Sequence, residues 1–554
     1  MSSALLIDTA PFFIQNTIIM NQFHAFISVC VYLLFSNLIA AQNPVNPYKA
    51  PLYWTVYENN FLKEKAGVKD NYISEAEWLA NINWVDSNLK SFGYNIICID
   101  GWGNVDYNQY GYRTKHSSNW AHDYAWWSAE LQKRGMTIGI YDNPLWVNVN
   151  AANAGIKVKG TNIALSTLIN TAENAKWFTW LQVDKPGAEQ YVKGYVQHYA
   201  DMGVKYLRVD FLSWYESGWD RYMGTVGLSR PVANYQTALR WMREACDANG
   251  IFLSLVMPNL NNDAVNEQKY GHMIRINEDC AEGGWSRFSE LARGVKRSGW
   301  SQYGNAFDGY IYWSKIAGRG KMILDGDFIR LNTLSNDEER KSVVSLHLMA
   351  GGPLSIADQH NSIGNSLWIY QNEELLALNA DGFVAKPLSN DPINALSQVW
   401  KGQMSNGEWI VGFFNRESTT QTRSINFQQE LGITGNAYVR DLWSHSNLGV
   451  ATSLSKPLSA HTCQIYKISL NSPLSIVNEV TPSFFRLSNN SNGNKMRIDS
   501  DFPICVAMFD LSGRMLFQNK IATNSIEINK NGNDFPCLLK LLTVGKTSVL
   551  KVKM

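Results

Sequence analysis

The sequence predicts an α/β chain: a (β/α)8 TIM barrel, then an antiparallel β-sandwich, then a small all-β C-terminal domain. Three observations predict it. Between about residue 50 and residue 385, eight short apolar runs alternate with helical patterns. Beyond Leu388 the helical periodicity stops while strand-like runs continue. Several of the early runs end on an acidic residue, which is where barrel active sites form.

Length alone asks for two or three domains, at 554 residues. Residues 1–41 read as an export signal. From Met20 the chain runs MNQFHAFISVCVYLLFSNLIAAQNP, an apolar stretch closed by small residues near Ala40–Ala41. Its leading region lacks Lys and Arg, and Met20 is an alternative start. The apolar segment is short for a membrane span. No Cys follows the small residues, which argues against a lipid anchor.

The barrel is expected over 47–387. Its strands are LYWTV (52–56), IICID (96–100), TIGIYD (137–142), YLRVDFL (206–212), FLSLVM (252–257), MIRINE (273–278), KMIL (321–324) and PLSIA (353–357). Helical stretches such as DYAWWSAELQKRG and GAEQYVKGYVQHYADMG lie between them and close on glycine, a common helix stop. A doubly wound open sheet is the alternative. No GxGxxG or P-loop follows the first strand, which counts against its nucleotide-binding forms. Residues 388–470 carry the sandwich runs SQVWKG, EWIVGFFN, RSINF, AYVRDLW and CQIYKISL. A Ser/Asn-rich linker over 471–495 leads to the last all-β segment, 496–554.

The net charge of +1 offers nothing to nucleic acid or to an anionic membrane surface. Aromatic residues are plentiful, with 20 Trp and 25 Tyr, which suits sugar-stacking clefts and large cores alike. The cysteines lack the paired spacing of a zinc site, and buried free thiols are expected.

Alternation along a strand puts Tyr206, Arg208 and Asp210 on one face, and Arg275, Asn277 and Asp279 on one face of a second strand. Two strands that each deliver an arginine and then an acid to the same end of a sheet suggest a catalytic carboxylate pair. Glycoside hydrolysis needs such a pair: one carboxylic acid to protonate the leaving oxygen, one carboxylate to attack the anomeric carbon or activate water. Asp210 is the candidate nucleophile, held ionised by Arg208. Asp279 is the candidate acid/base, since alternation sends Glu278 outward. Trp54, Tyr57, Asp100 and Tyr141 are candidate sugar contacts at other strand ends, with Arg208 and Arg275 beside them. Asp325 and Asp327 in LDGDF are read as supporting residues.

On these pieces the chain resembles glycoside hydrolase family 27, the α-galactosidase family. APLYWTVYE is similar to the family's opening strand, and YNIICIDGW to its strand ending in acids and a tryptophan. RGMTIGIYD, VKYLRVD, RINED, LDGDFIRL, NDEERKSVVSLHLMAGGPLSIADQ and NEELLALNAD follow in the family's order, and SAHTCQIYKI resembles the last strand of its C-terminal sandwich. The resemblance spans about residues 50–468. It implies a retaining exo-α-glycosidase working by double displacement through Asp210 and Asp279, with no cofactor and no metal. Its implied partner is an oligo- or polysaccharide with an α-linked terminal sugar, most simply a galactoside.

Three departures bear on the sugar. The family's adjacent aspartates at the second strand, which hold the 4- and 6-hydroxyls of galactose, are here Asp100 and Gly101. The lysine two residues before the nucleophile is Arg208, and Val256–Met257–Pro258 stands where a polar residue is expected. Losing a partner for a sugar hydroxyl changes discrimination strongly. An isomaltodextranase-like or other α-glycosidase specificity is therefore the competing expectation, with a non-catalytic carbohydrate-binding surface protein behind it. MFDLSGRMLFQ (508–518) resembles the sorting domain of proteins exported by type IX secretion. That implies the type IX machinery as a partner and a secreted or surface location.

Overall fold

The computed structural model describes residues 48–68, 73–101, 107–170, 172–173, 179–280, 282–470, 485–489, 495–510, 515–519, 523–529, 536–543 and 546–553. The expected signal over 1–41 and most of the expected linker lie outside the described residues.

All eight expected runs form parallel strands: β1 Leu52–Thr55, β2 Ile96–Ile99, β3 Thr137–Tyr141, β4 Tyr206–Val209, β5 Phe252–Leu255, β6 Met273–Arg275, β7 Ile323–Asp325 and β8 Leu354–Ile356. Their hydrogen-bonded order is β7-β6-β5-β4-β3-β2-β1-β8. A parallel bridge from Ile329, just past β7, to Ile356 of β8 closes the circle. Except at β7, which runs on to Asp325, the ladders stop short of the expected C-terminal ends, so residues read as strand ends become loop residues at the barrel mouth.

Inward positions fall in layers. Tyr53, Ile96, Cys98, Tyr206, Phe252, Met273 and Ile323 pack one apolar cluster inside the barrel. Gly139 is required there, because a Cβ would lie 2.8 Å from Cδ1 of Tyr206. One layer higher, Arg208 of β4 pairs in register with Ser254 of β5, and Arg275 of β6 with Asp325 of β7. Charge therefore begins immediately above an apolar plug. Outward positions such as Trp54, Ile97, Ile138, Leu207 and Ile274 join the continuous core under the helices.

Those helices include α1 Tyr57–Lys65, α2 Glu75–Asn88, α3 Tyr124–Lys133, α4 Ala188–Asp201, α5 Val232–Asn249, α6 Asn261–Tyr270, α7 Ala306–Trp313, α8 Asp337–Met349 and α9 Glu373–Asp381. Side chains satisfy the free N–H groups at several starts: Ser74 for α2, Asp123 for α3, Asn336 for α8 and Asn372 for α9.

The sandwich has a six-stranded sheet in the order β9-β10-β11-β16-β13-β14 and a separate pair, β12-β15. These are β9 Lys386–Pro387, β10 Val399–Gln403, β11 Trp409–Phe414, β12 Gln421–Asn426, β13 Ala437–Asp441, β14 Ser446–Ala451, β15 Ser453–Leu458 and β16 Cys463–Ser469. Val411, Phe413, Ile425, Phe427 and Tyr466 fill its core. A fully buried Arg416–Asp308 ion pair (2.7 Å) ties the sandwich to α7. From Ser469 onward lies a second compact unit whose described elements are all β-strands. Its long strand Lys495–Asp510 pairs with Phe485–Asn489, Met515–Gln518, Thr523–Asn529 and Pro536–Thr543. Cys98, Cys246, Cys280 and Cys463 are buried free thiols, and Cys505 is a partly buried one.

Candidate functional site

Asp210 follows β4 directly and stands at the C-terminal mouth of the barrel. Phe211 behind it takes a left-handed backbone (φ 61°), turning the chain so sharply that its N–H donates to Asp210 Oδ1 at 2.6 Å. The hydroxyl of Tyr141, at the end of β3, donates to Oδ2 at 2.8 Å. Asn143 Nδ2 holds the Asp210 carbonyl at 2.7 Å. Burial raises the Asp210 pKa, and the charge of Arg208 and the two donated hydrogen bonds work against that rise. The negative charge of Asp279 is a further raising influence, so the two carboxylates sense one another across the mouth.

Asp279 is carried differently. β6 ends at Arg275, and four residues later the Asp279 side chain is 59% exposed. Arg275 reaches back to it, Nη2 to Oδ1 at 2.9 Å, while Nη1 holds Asp327 at 2.6 Å. Glu278 turns elsewhere, away from the Arg275–Asp279 pair. Its buried carboxylate accepts from Tyr222 OH at 2.8 Å and is ringed by Arg221, Arg287 and Arg297.

Beneath the mouth lies a charge-dense floor. Arg208 touches Asp325 (2.9 Å), Asp327 (3.4 Å) and Asp100 (3.4 Å), with its guanidinium over the Phe328 ring. Asp327 also accepts the Cys280 N–H at 2.6 Å, fixing the loop beside Asp279. Two guanidiniums thus hold four carboxylates, with Asp327 shared between them. Burial pushes Asp100 up to about 7, because Arg208 is shared and cannot fully offset it. Tyr57 packs on Phe328 with ring centroids 4.4 Å apart, and the charges of Asp279, Asp327 and Asp100 add to the burial that raises its pKa. Tyr57, Asp100 and Tyr141 therefore gather around the acids.

Three expected sugar contacts are corrected. Trp54 is fully buried on the helix side, against Trp78, with its indole N–H on the Asp358 carbonyl at 2.8 Å. Alternation explains it: Tyr53 points into the barrel, so Trp54 points out. Arg208 and Arg275 are buried beneath the mouth, and their terminal nitrogens are engaged by carboxylates. They position acids instead of touching sugar. Asn277 also leaves the expected face, because the strand has ended; its amide bonds the carbonyls of Glu278 and Gly326. Asn143 and Tyr222 went unread, as their partners lie 67 and 56 residues away.

A cavity of about 700 Å³ opens at the opposite, N-terminal ends of β5–β7, among Phe252, His272 and Met322, and lies away from this chemistry. Among the described residues, no group of three or more His, Cys, Asp or Glu side chains has the arrangement of a metal site.

Residues 394–468 match the model of the alpha galactosidase C-terminal beta sandwich domain. The chain is 40% identical over 437 residues to the isomalto-dextranase of Arthrobacter globiformis, covering 76% of this chain and 67% of that protein. The solved structure of the A. globiformis T6 isomalto-dextranase complexed with panose superposes with a TM-score of 0.72 at 32% identity, covering 91% of this chain and 92% of that one. A GH27 β-L-arabinopyranosidase from Geobacillus stearothermophilus shares the fold, with a TM-score of 0.60 at 18% identity, over 77% of this chain and 100% of that one.

Proposed function

Because the chain belongs to glycoside hydrolase family 27, and is thus an O-glycosyl hydrolase acting on α-linked sugars, we propose that it releases isomaltose from α-(1→6)-glucans of the dextran class. Asp210 attacks the anomeric carbon while Asp279 protonates the glycosidic oxygen, so the leaving chain departs neutral and a glycosyl-enzyme ester forms. Asp279, now ionised, then takes a proton from water, and the hydroxide equivalent displaces Asp210 with overall retention. Tyr141 and the Phe211 N–H keep the nucleophile aimed.

The observation that carries the choice of sugar is the corner after β2. Gly101 has φ 71°, a left-handed conformation that strains any residue with a Cβ. The corner therefore presents one acid, Asp100, instead of the adjacent pair expected of a galactose reader. The 40% identity to an isomalto-dextranase supports the same choice. α-Galactoside hydrolysis is the second reading, favoured by the match of residues 394–468 to an α-galactosidase sandwich.

The test is hydrolysis of dextran, isomalto-oligosaccharides and para-nitrophenyl α-galactoside by the purified chain. Isomaltose as the product, with the galactoside untouched, is the expected result. Release from the galactoside alone retires the glucan reading. We further infer export through the leader and the C-terminal unit, on the basis of the apolar segment after Met20 and MFDLSGRMLFQ. Retention of the full chain inside producing cells would overturn that.

A further inference from the structure

The segment after β5 reads VMPNLNNDA (256–264), and five of its residues are left-handed: Met257, Leu260, Asn262, Asp263 and Ala264, with φ of 51°, 54°, 49°, 56° and 58°. A Cβ makes such backbone uncommon, and it persists where the surroundings over-determine it. Here a buried acid holds it. Glu216 stands in the short helix Leu212–Ser217 that follows Phe211, directly behind the nucleophile. One of its carboxylate oxygens accepts from Asn259 Nδ2 at 2.7 Å and the other from Asn261 Nδ2 at 3.1 Å. A main-chain bond runs alongside, from the Ser213 N–H to the Met257 carbonyl at 2.7 Å.

The same Asn259 reaches the other way through its oxygen. Oδ1 accepts the Trp300 main-chain N–H at 3.0 Å, and the Asn259 carbonyl accepts from Gln302 Nε2 at 2.9 Å. The Arg275 guanidinium lies over the Trp300 ring, 5.9 Å from its centre, and Arg275 holds Asp279 at 2.9 Å. One buried amide therefore joins the helix behind Asp210 to the support beneath Asp279. Its orientation is forced. Turning the amide over would aim its N–H groups at the Trp300 N–H and its oxygen at the Glu216 carboxylate.

We propose that Glu216 and Asn259 are positioning residues, whose bond sets where Asp279 stands relative to Asp210. A retaining site needs its two carboxyls about 5–5.5 Å apart, so a slack link slows the reaction. Asp210 has its own grip from Tyr141, Asn143 and the Phe211 N–H, whereas Asp279 relies on Arg275. The side that drifts when the link breaks is therefore the acid/base. This rests on the double-displacement reading of Asp210 and Asp279 and adds what fixes their spacing.

The experiment measures kcat/KM at neutral pH on dextran and on para-nitrophenyl α-isomaltoside, whose leaving group needs no proton. It compares the full chain with Glu216→Gln, Asn259→Asp and the double variant. Glu216→Gln sets an amide donor against the Asn259 donor, and Asn259→Asp sets two carboxylates together. The double variant reverses the bond: the new amide donates to the new carboxylate, and the Trp300 and Asn261 donors keep their acceptors. In each single variant the dextran-to-isomaltoside ratio is expected to fall about tenfold, the scale of one hydrogen bond to a charged group. In the double variant it should return to within about threefold of the parent, since coupled partners are not additive. The ratio does not depend on the fraction of protein folded, so an unstable single variant still reports. A ratio unchanged in both single variants, or not restored in the double, overturns the positioning role while leaving the isomaltose reading intact. Parent protein silent on both substrates overturns the isomaltose reading and the positioning role together.

Discussion

Asp210 follows its strand directly and is gripped by a tyrosine hydroxyl and a main-chain N–H, whereas Asp279 lies four residues past the end of β6, held by one arginine and open to solvent. The difference matches what each must do. A nucleophile has to stay ionised and fixed while buried, so it needs donors that offset the loss of water. An acid/base has to exchange a proton with water and let a sugar leave, so it needs access more than grip. Rigidity is spent on one side of the mouth and exposure on the other.

Removing each side's chemistry separately is the strongest way to break this contrast. Asp210→Asn should lower kcat on every substrate by on the order of 10⁴-fold or more, since no other group can form the ester. Loss of the same size on only one substrate class would place the nucleophile elsewhere. Asp279→Ala should cost about 10²- to 10⁴-fold on dextran. It should cost far less on a nitrophenyl glycoside, because nitrophenolate leaves without needing a proton. Equal losses on the two substrates would deny Asp279 the role of acid. Tyr141→Phe is smaller. A hydrogen bond to a charged group is worth about 1.5–3 kcal/mol, or roughly 10- to 100-fold in kcat/KM. Its sharper signature is in pH: without the hydroxyl the Asp210 pKa rises further, so the acid limb of the profile should move to higher pH.

Much of this arrangement is legible in the chain, for reasons that also define the limits. Apolar runs bounded by glycine and acids give eight strands because a parallel barrel buries both faces of each strand. The strand C-terminal ends are misjudged because the residues there serve the site. YLRVDFL leaves the ladder at Val209, where Phe211 turns left-handed, and MIRINE leaves it at Arg275. Trp54 shows that residue type can mislead where parity does not: a tryptophan at a strand end invites a sugar, yet Tyr53 inside requires Trp54 outside. The floor is legible as residues but not as contacts, because Arg208 meets Asp325 across 117 positions. Strand β14, SNLGVA, carries no signal at all; every one of its side chains is exposed or half-buried, so no alternation marks it. The secretion motifs are legible only as motifs.

The subtlest difference between the two sides is where the surplus negative charge is stored, and Asp100 tests it. Arg208 contacts three acids and Arg275 two, with Asp327 common to both. One proton retained among them relieves the excess, and Asp100, pushed up to about 7 by burial, is the group placed to keep it. Its ordinary value is 3.8. Over that interval the folded chain holds a proton that the unfolded chain has released, so this group's contribution to stability is present at low pH and is lost as pH rises toward 7. Asn cannot ionise. Asp100→Asn should therefore gain stability relative to the parent between pH 5 and pH 8, read as a Tm difference between the two proteins that grows with pH and levels off above 7. A difference that stays flat with pH would mean Arg208 keeps Asp100 ionised throughout, and the stored proton would then have to sit on Asp327, whose pKa burial also raises.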